Sequence, residues 1–447
     1  MITRRTALQA PLAALAQPSP QPPNFVFLIS DDHSAADLGC YGNPGIRTPH
    51  LDRMAAEGLR FTRGFVTSPQ CSPNRSSIFT GCTAHSTATS RLHTPMPDWE
   101  PTFIEPLKER GYFVGAFRKV HQGPRFDQRW NFYGKPDTPF EAFFDALPSG
   151  RPFFLHVGFT DPHRPYRKGA FSPPHDPARV RVPSFLPATP EVRADLADYC
   201  DEIARMDAEC GRIFQLLNQW KLDSNTLVIL TGDNGMPFPR AKGTCYDSGI
   251  HVPLLVWWPG RVRAGSVASE LISHVDLPAT WLDAAGIARP GKMQGRSFLG
   301  LLTGGRYQPR SDIFAERNWH NNFDPSRAVR TARHKLIFNA APQAPYRPIG
   351  DLEASPSWKS MVEEYRAGRL TPQQARLFDP SRPMLELYDL ERDPDEFHNL
   401  ATSPEHAEVL ENLKNRLSDW MHETYDFLPP LHDQYPAAKG RSRPGML

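Results

Sequence analysis

Asn24-Phe25-Val26-Phe27-Leu28-Ile29-Ser30-Asp31-Asp32 is the stretch that decides the fold. Its apolar run shows no polar–apolar alternation, so the strand it predicts must be covered on both faces. It then breaks directly into two carboxylates. Phe153-Phe154-Leu155-His156-Val157 and Leu227-Val228-Ile229-Leu230 repeat the design, and the second leads into Gly232-Asp233-Asn234-Gly235. Between them lies the clearest helix, whose apolar Leu196, Ile203, Met206, Ile213 and Leu217 keep helical spacing after Pro190. An earlier helix is opened by Thr48-Pro49 and closed by Gly58. Strands covered on both faces and alternating with helices predict an α/β fold, a mostly parallel sheet sandwiched by helices. In such sheets ligands bind beyond the carboxyl ends of the strands. That is where these polar clusters stand.

The whole chain fits this reading. Its 447 residues, 39% hydrophobic and 22% charged, are enough for a large core and exclude a disordered or multi-span membrane protein. A net charge of +2 gives no reason to expect nucleic acid as a partner. The 47 prolines imply many loops of fixed backbone. The six cysteines, at 40, 71, 82, 200, 210 and 245, form no CxxC pair and no zinc spacing, and their pairing stays open. Arg4-Arg5 followed by the short apolar run Ala7 to Ala16 predicts an export signal of twin-arginine type, hence a periplasmic or extracellular protein, with residues 1–23 as signal and tail. No later stretch approaches the roughly 18 apolar residues of a membrane span. Gly304-Gly305-Arg306 and Pro309 mark a linker. A main domain is therefore expected over 24–303 and a smaller α+β domain over 304–447. The second domain should hold short strands at 335–338 and 385–388 and a helix burying Val409, Leu410, Leu413, Leu417 and Trp420.

Chemistry concentrates in two places. Cys71-Ser72-Pro73-Asn74-Arg75 puts a cysteine at the head of a short helix, Ser76 to Thr80, that Gly81 stops. The helix start and the arginine one turn on make positive potential suited to an anionic substrate or a thiolate. A lone cysteine there would be a buried turn residue, but its neighbours argue otherwise. Asp31, Asp32, Asp233 and Asn234 are hard oxygen donors at two strand ends, a set suited to Ca2+ or Mg2+ and poor for zinc. Singly each would be a capping residue. Four together make a metal site. His33 is expected to be a supporting or surface histidine, not a fifth ligand.

An ordered set of motifs extends these two clusters: Leu38-Gly39-Cys40-Tyr41-Gly42-Asn43, Thr48-Pro49-His50-Leu51-Asp52-Arg53, Lys119-Val120-His121, Asp161-Pro162-His163-Arg164-Pro165, Gly232-Asp233-Asn234-Gly235 and Lys242-Gly243. In this order they resemble the type I sulfatases. Within that family Asp233-Asn234-Gly235-Met236-Pro237-Phe238-Pro239, the 187–197 stretch, Arg205-Met206-Asp207 and, near the C-terminus, Glu386-Leu387-Tyr388-Asp389 look closest to the heparan N-sulfatase (sulfamidase) branch. The resemblance implies an alkaline-phosphatase-like fold and an enzyme of glycosaminoglycan degradation that acts on a sulfated glycan. It also implies Ca2+, oxidation of Cys71 to formylglycine by a formylglycine-generating maturation enzyme, and a homodimer. Roles follow by the same likeness. Residue 71 supplies the nucleophilic hydroxyl and Arg75 holds it. Lys119 and Lys242 bind sulfate oxygens, His163 protonates the leaving atom, and His121 takes the proton that releases sulfate.

The fourth motif residue, Asn74, departs from the common Ser or Ala; with Cys, Pro and Arg present, little effect on maturation is expected. Asp52 and Arg53 are read as structural. His320, Asn321 and Arg327 either face a sugar or form a surface loop or domain interface. Three further readings stay open: an O-sulfatase on another sulfated glycan, a phosphoester hydrolase on the same fold, and a glycan-binding protein whose Cys71 is never oxidised.

Overall fold

The computed structural model describes residues 21–431. The Arg4-Arg5 export signal lies outside the described residues. Nine strands form the larger sheet: β1 (Asn24–Ser30), β2 (Leu59–Phe65), β3 (Phe113–Arg118), β4 (Phe132–Gly134), β5 (Phe153–Gly158), β6 (Thr226–Gly232), β7 (His251–Trp257), β8 (Ser266–Ala268) and β9 (Ile272–Ser273). The order is β4-β3-β5-β1-β6-β7-β2-β8, with β9 also on β2. Only β7 runs against the rest. The 233–250 connection carries no crossover helix, so the chain comes back antiparallel beside β6.

The doubly covered strand expected at the start is present. Val26 and Leu28 enter one core layer with the Pro190–Gln219 helix, and Phe25, Phe27 and Ile29 enter the other with Trp281 of the Asp276–Ala284 helix. Gly58 ends the Pro49–Glu57 helix as expected. The motif helix differs from its reading. It begins at Cys71, not Ser76, and runs to Thr80. Pro73 falls in the first turn, where its missing N–H would have no intrahelical partner anyway. The motif therefore folds as the helix start.

The second sheet, β10 (Asp312–Trp319), β11 (Phe323–Thr331), β12 (His334–Asn339) and β13 (Leu385–Asp389), is antiparallel in that order. Its first two strands were not legible as strands. One face packs on the Ala407–Glu423 helix through Leu336, Leu387, Leu413, Leu417 and Trp420, while Val409 and Leu410 are only half-buried at the edge. The other face joins Ile313, Ala315 and Ile337 to Phe65, Ile250 and Val252 of the larger unit. All six cysteines are free. Among the described residues no helix is long and apolar enough to cross a membrane.

Candidate active site

The strand ends of the larger sheet converge on Cys71. Asp31 and Asp32 follow β1, Lys119 and His121 follow β3, His163 lies beyond β5, and Asp233 and Asn234 follow β6. Ligand atoms of Asp31, Asp32, Cys71 and Asp233 all lie within 4.8 Å of one another. The Cys71 Sγ is 3.4 Å from Asp31 Oδ1 and 3.8 Å from Asp32 Oδ1. Arg75, fully buried one turn along the helix, donates to Asp233 Oδ2 (2.8 Å) and to the Lys119 carbonyl (2.7 Å). Asp233 Oδ1 accepts from the Asp32 N–H at 3.0 Å, which fixes the end of β6 against the end of β1.

Cations close the cluster. Lys119 Nζ pairs with Asp31. Lys242 Nζ, wholly buried, lies 2.8 Å from Asp32 Oδ2 and 2.7 Å from Asp351 Oδ2. His163 Nε2 stands 3.2 Å from Asp351 Oδ2 and 3.8 Å from Asp32 Oδ2. Arg164 holds this histidine's loop, with a two-pronged bond to Asp195 at 2.7 and 2.6 Å and a bond to the Pro237 carbonyl. Asp32, His93 and His121 all have left-handed backbone (φ 68°, 64° and 65°), a local strain that the surrounding packing must sustain.

The field separates the two histidines. Burial and the charges of Lys119 and Arg75 push His121 down to about 3, so it is neutral. Burial lowers His163 too, but Asp32 and its bond to Asp351 more than reverse this and leave it above its ordinary value. Burial likewise raises Asp31, and Lys119 more than reverses it. Burial, with the Asp233 and Asp31 carboxylates adding to it against Lys119 and Lys242, drives the Cys71 thiol far above its ordinary value.

The residues fit a hard divalent cation. Three carboxylates meet around one point, with the Asn234 amide against one of them. Asn234 gives its Nδ2 to Asp32 Oδ1 (2.8 Å) and the Gly235 carbonyl (3.0 Å), while its buried Oδ1 has no hydrogen-bonding partner. An acceptor orphaned among carboxylates is what a bound cation would satisfy.

All ten residues singled out from the sequence thus gather at one end of the sheet. Others correct their readings. His33 is neither exposed nor near the surface: its ring is buried between Ser30 Oγ (3.0 Å) and the Asp37 carbonyl (3.3 Å), and burial pushes it down to about 4. Arg327 does not reach the pocket, because its guanidinium is buried in a pair with Asp426. Asn321 does matter: its Oδ1 accepts from the Gly350 N–H at 2.8 Å and so anchors the segment that carries Asp351.

Two neighbours were not foreseen. Asp351 has no local signal, since only the fold brings it to Lys242. His93 Nδ1 lies 2.7 Å from His121 Nε2, and its N–H donates to Ser72 Oγ at 2.8 Å.

The family model described as Sulfatase matches residues 23–287, and the chain belongs to that family. It is a sulfatase with the alkaline-phosphatase-like fold. A second model, described as N-sulphoglucosamine sulphohydrolase, C-terminal, matches 240–367. Human N-sulphoglucosamine sulphohydrolase is 32% identical, covering 91% of this chain and 91% of that protein. An ulvan-active sulfatase of Formosa agariphila is 29% identical over 90% of this chain and 75% of its own length. Among solved structures, one determined in complex with its substrate D-glucosamine-2-N,6-O-disulfate superposes with a TM-score of 0.71 at 18% identity, covering 92% of this chain and 99% of that one. That likeness is one of fold.

Proposed function

We propose that this sulfatase removes N-linked sulfate from glucosamine of heparin- or heparan-type glycans: R–NH–SO3− + H2O gives R–NH3+ + SO4 2−. The observation that carries the reading is the 240–367 match, because that stretch supplies Lys242, which touches Asp32 of the metal-type cluster, and Asp351, which pairs with it.

Asp31, Asp32, Asp233 and Asn234 would hold a hard divalent cation, Ca2+ or Mg2+ by their all-oxygen donor set, and the sulfatase resemblance points to Ca2+. Once bound, such a cation would supply positive charge that acidifies a neighbouring hydroxyl. Residue 71, once oxidised to formylglycine and hydrated to its diol, would offer one hydroxyl to sulfur and keep the other for sulfate release. Arg75 fixes its position, tied as it is to Asp233 and the Lys119 carbonyl. Lys119 and Lys242 neutralise the sulfate oxygens, worth most where water is excluded. His163 Nε2, already donating towards carboxylates, gives its proton to the leaving atom. His121 carries a buried Nδ1 without a partner and takes the proton that frees sulfate.

A second reading, an O-sulfatase of another glycan, is favoured by the ulvan-active relative. The test is sulfate release by enzyme co-produced with a formylglycine-generating enzyme, with Cys71→Ala as blank. Substrates would be N-sulfoglucosamine, glucosamine 6-O- and 3-O-sulfates, and a phosphate monoester. Release from the N-sulfate is expected. Release from O-sulfates alone would replace the first reading by the second.

A further inference from the structure

We propose that Asp351 selects nitrogen over oxygen as the leaving atom. The inference deepens the sulfamate reading above and rests on it.

Asp351 is a carboxylate that the smaller unit brings to Lys242 and His163. It sits at the start of the short Gly350–Glu353 helix, and its side chain is 28% exposed while the Asp32 side chain it faces across Lys242 is 0% exposed. Two contacts fix it. Gly350 bonds to Asn321, and Ile349 lies against Gly243, where even an added Cβ would approach to 2.9 Å. The carboxylate is therefore held in place and open to the pocket.

Its Oδ2 lies 3.2 Å from His163 Nε2 and 2.7 Å from Lys242 Nζ. An atom that receives the His163 proton must come within about 3 Å of Nε2. It therefore arrives beside Asp351. A sulfamate nitrogen keeps one hydrogen, R–NH–SO3−, and can donate it to this carboxylate. A sulfate ester presents there an oxygen with lone pairs only, which a carboxylate repels. The difference grows as the bond breaks. The S–N electron pair stays on nitrogen, the proton from His163 joins it, and the amine ends as R–NH3+ after taking a second proton from solvent. A cationic product is stabilised by Asp351; an alcohol gains nothing.

Asp351→Asn keeps the shape and removes the charge. On converted enzyme, kcat/KM would be measured for N-sulfoglucosamine and for 4-nitrophenyl sulfate. The ratio of the two should fall about 10- to 100-fold, the size of one lost hydrogen bond to a charged group. Equal losses on both would overturn the proposal and leave Asp351 as a positioning residue for Lys242 and His163. A readout without turnover accompanies this. Unconverted Cys71→Ala protein should bind glucosamine more tightly than glucose, and the added Asp351→Asn change should abolish that preference. An unchanged preference would also overturn it. Failure of the sulfamate reading itself looks different, since wild type would then cleave the O-sulfate and leave N-sulfoglucosamine intact.

Discussion

Asn74 shows how much can hang on one motif position. Its Oδ1 accepts from the Thr67 N–H at 3.1 Å, and its Nδ2 donates to the Asp233 carbonyl (2.8 Å) and to His274 Nδ1 (2.9 Å). Burial pushes His274 down to about 3, so the ring is neutral. Its Nε2 faces Thr231 Oγ1, which already donates to the Pro253 carbonyl. The ring hydrogen therefore sits on Nε2, and Nδ1 is free to accept from Asn74. Both ends of the amide are matched, which no serine or alanine could do. Whatever its bearing on maturation, the residue ties the cysteine helix to the end of β6. Asn74→Ala leaves four buried groups unpaired, the Thr67 hydroxyl among them, and should cost about 3 kcal/mol in urea unfolding. A midpoint within error of wild type would show that the pocket reseals around the loss.

Among elements, the β6–β7 connection sets the pocket, and Gly243 is its pivot. Its φ of +80° suits glycine, and its Cα faces Ile349 of the second unit. Gly243→Ala should strain that turn, push Ile349 away and shift Lys242 relative to Asp351. We expect kcat to fall at least about tenfold, in keeping with the sensitivity of catalysis to small misplacements, while far-UV circular dichroism stays native. Unaltered kcat would mean that the loop adjusts without moving the ammonium.

Elements also differ in how legible they were. β1, β5 and β6 stood out because both their faces are apolar. β10 and β11 did not, because they bury charge: Glu316 meets His85, Arg317 meets Asp324, Arg327 meets Asp426 and Arg330 meets Asp247. A strand whose inward residues are paired ions has the texture of a loop until its partners are known. The same holds at the site. Strand-end carboxylates announced themselves, whereas Asp351 lies 109 residues from the lysine it touches.

Across the whole molecule, His85 joins the two units. Its Nδ1 lies 3.0 Å from Glu316 Oε2 of β10, an acceptor only. Its Nε2 lies 2.9 Å from Thr424 Oγ1, whose hydrogen goes to the Trp420 carbonyl. Both ring nitrogens must then donate, so the ring is an imidazolium. Burial lowers this histidine, and Glu316 more than reverses that, leaving it above its ordinary value. Glu316, with Arg327 and Asn318 also near, is held down to about 2 despite its burial. A raised histidine contributes stability that is full below about pH 6.5, the unfolded value, and is lost as pH rises through the folded one. Wild type should therefore melt a few degrees, on the order of 2–4 °C, above His85→Gln in mild acid, with the gap narrowing in alkali. A gap independent of pH would sink this account.

One consequence concerns time. Cys71 and Arg75 are at most 3% exposed, and Pro73 between them is buried too. A converting enzyme of the kind the sulfatase resemblance implies would reach those three side chains only while the chain is still open. Folded protein bearing the thiol would then be an end point of biosynthesis and not a precursor awaiting activation. Purified thiol protein given the converting enzyme should stay inert, whereas the same chain presented unfolded should be oxidised.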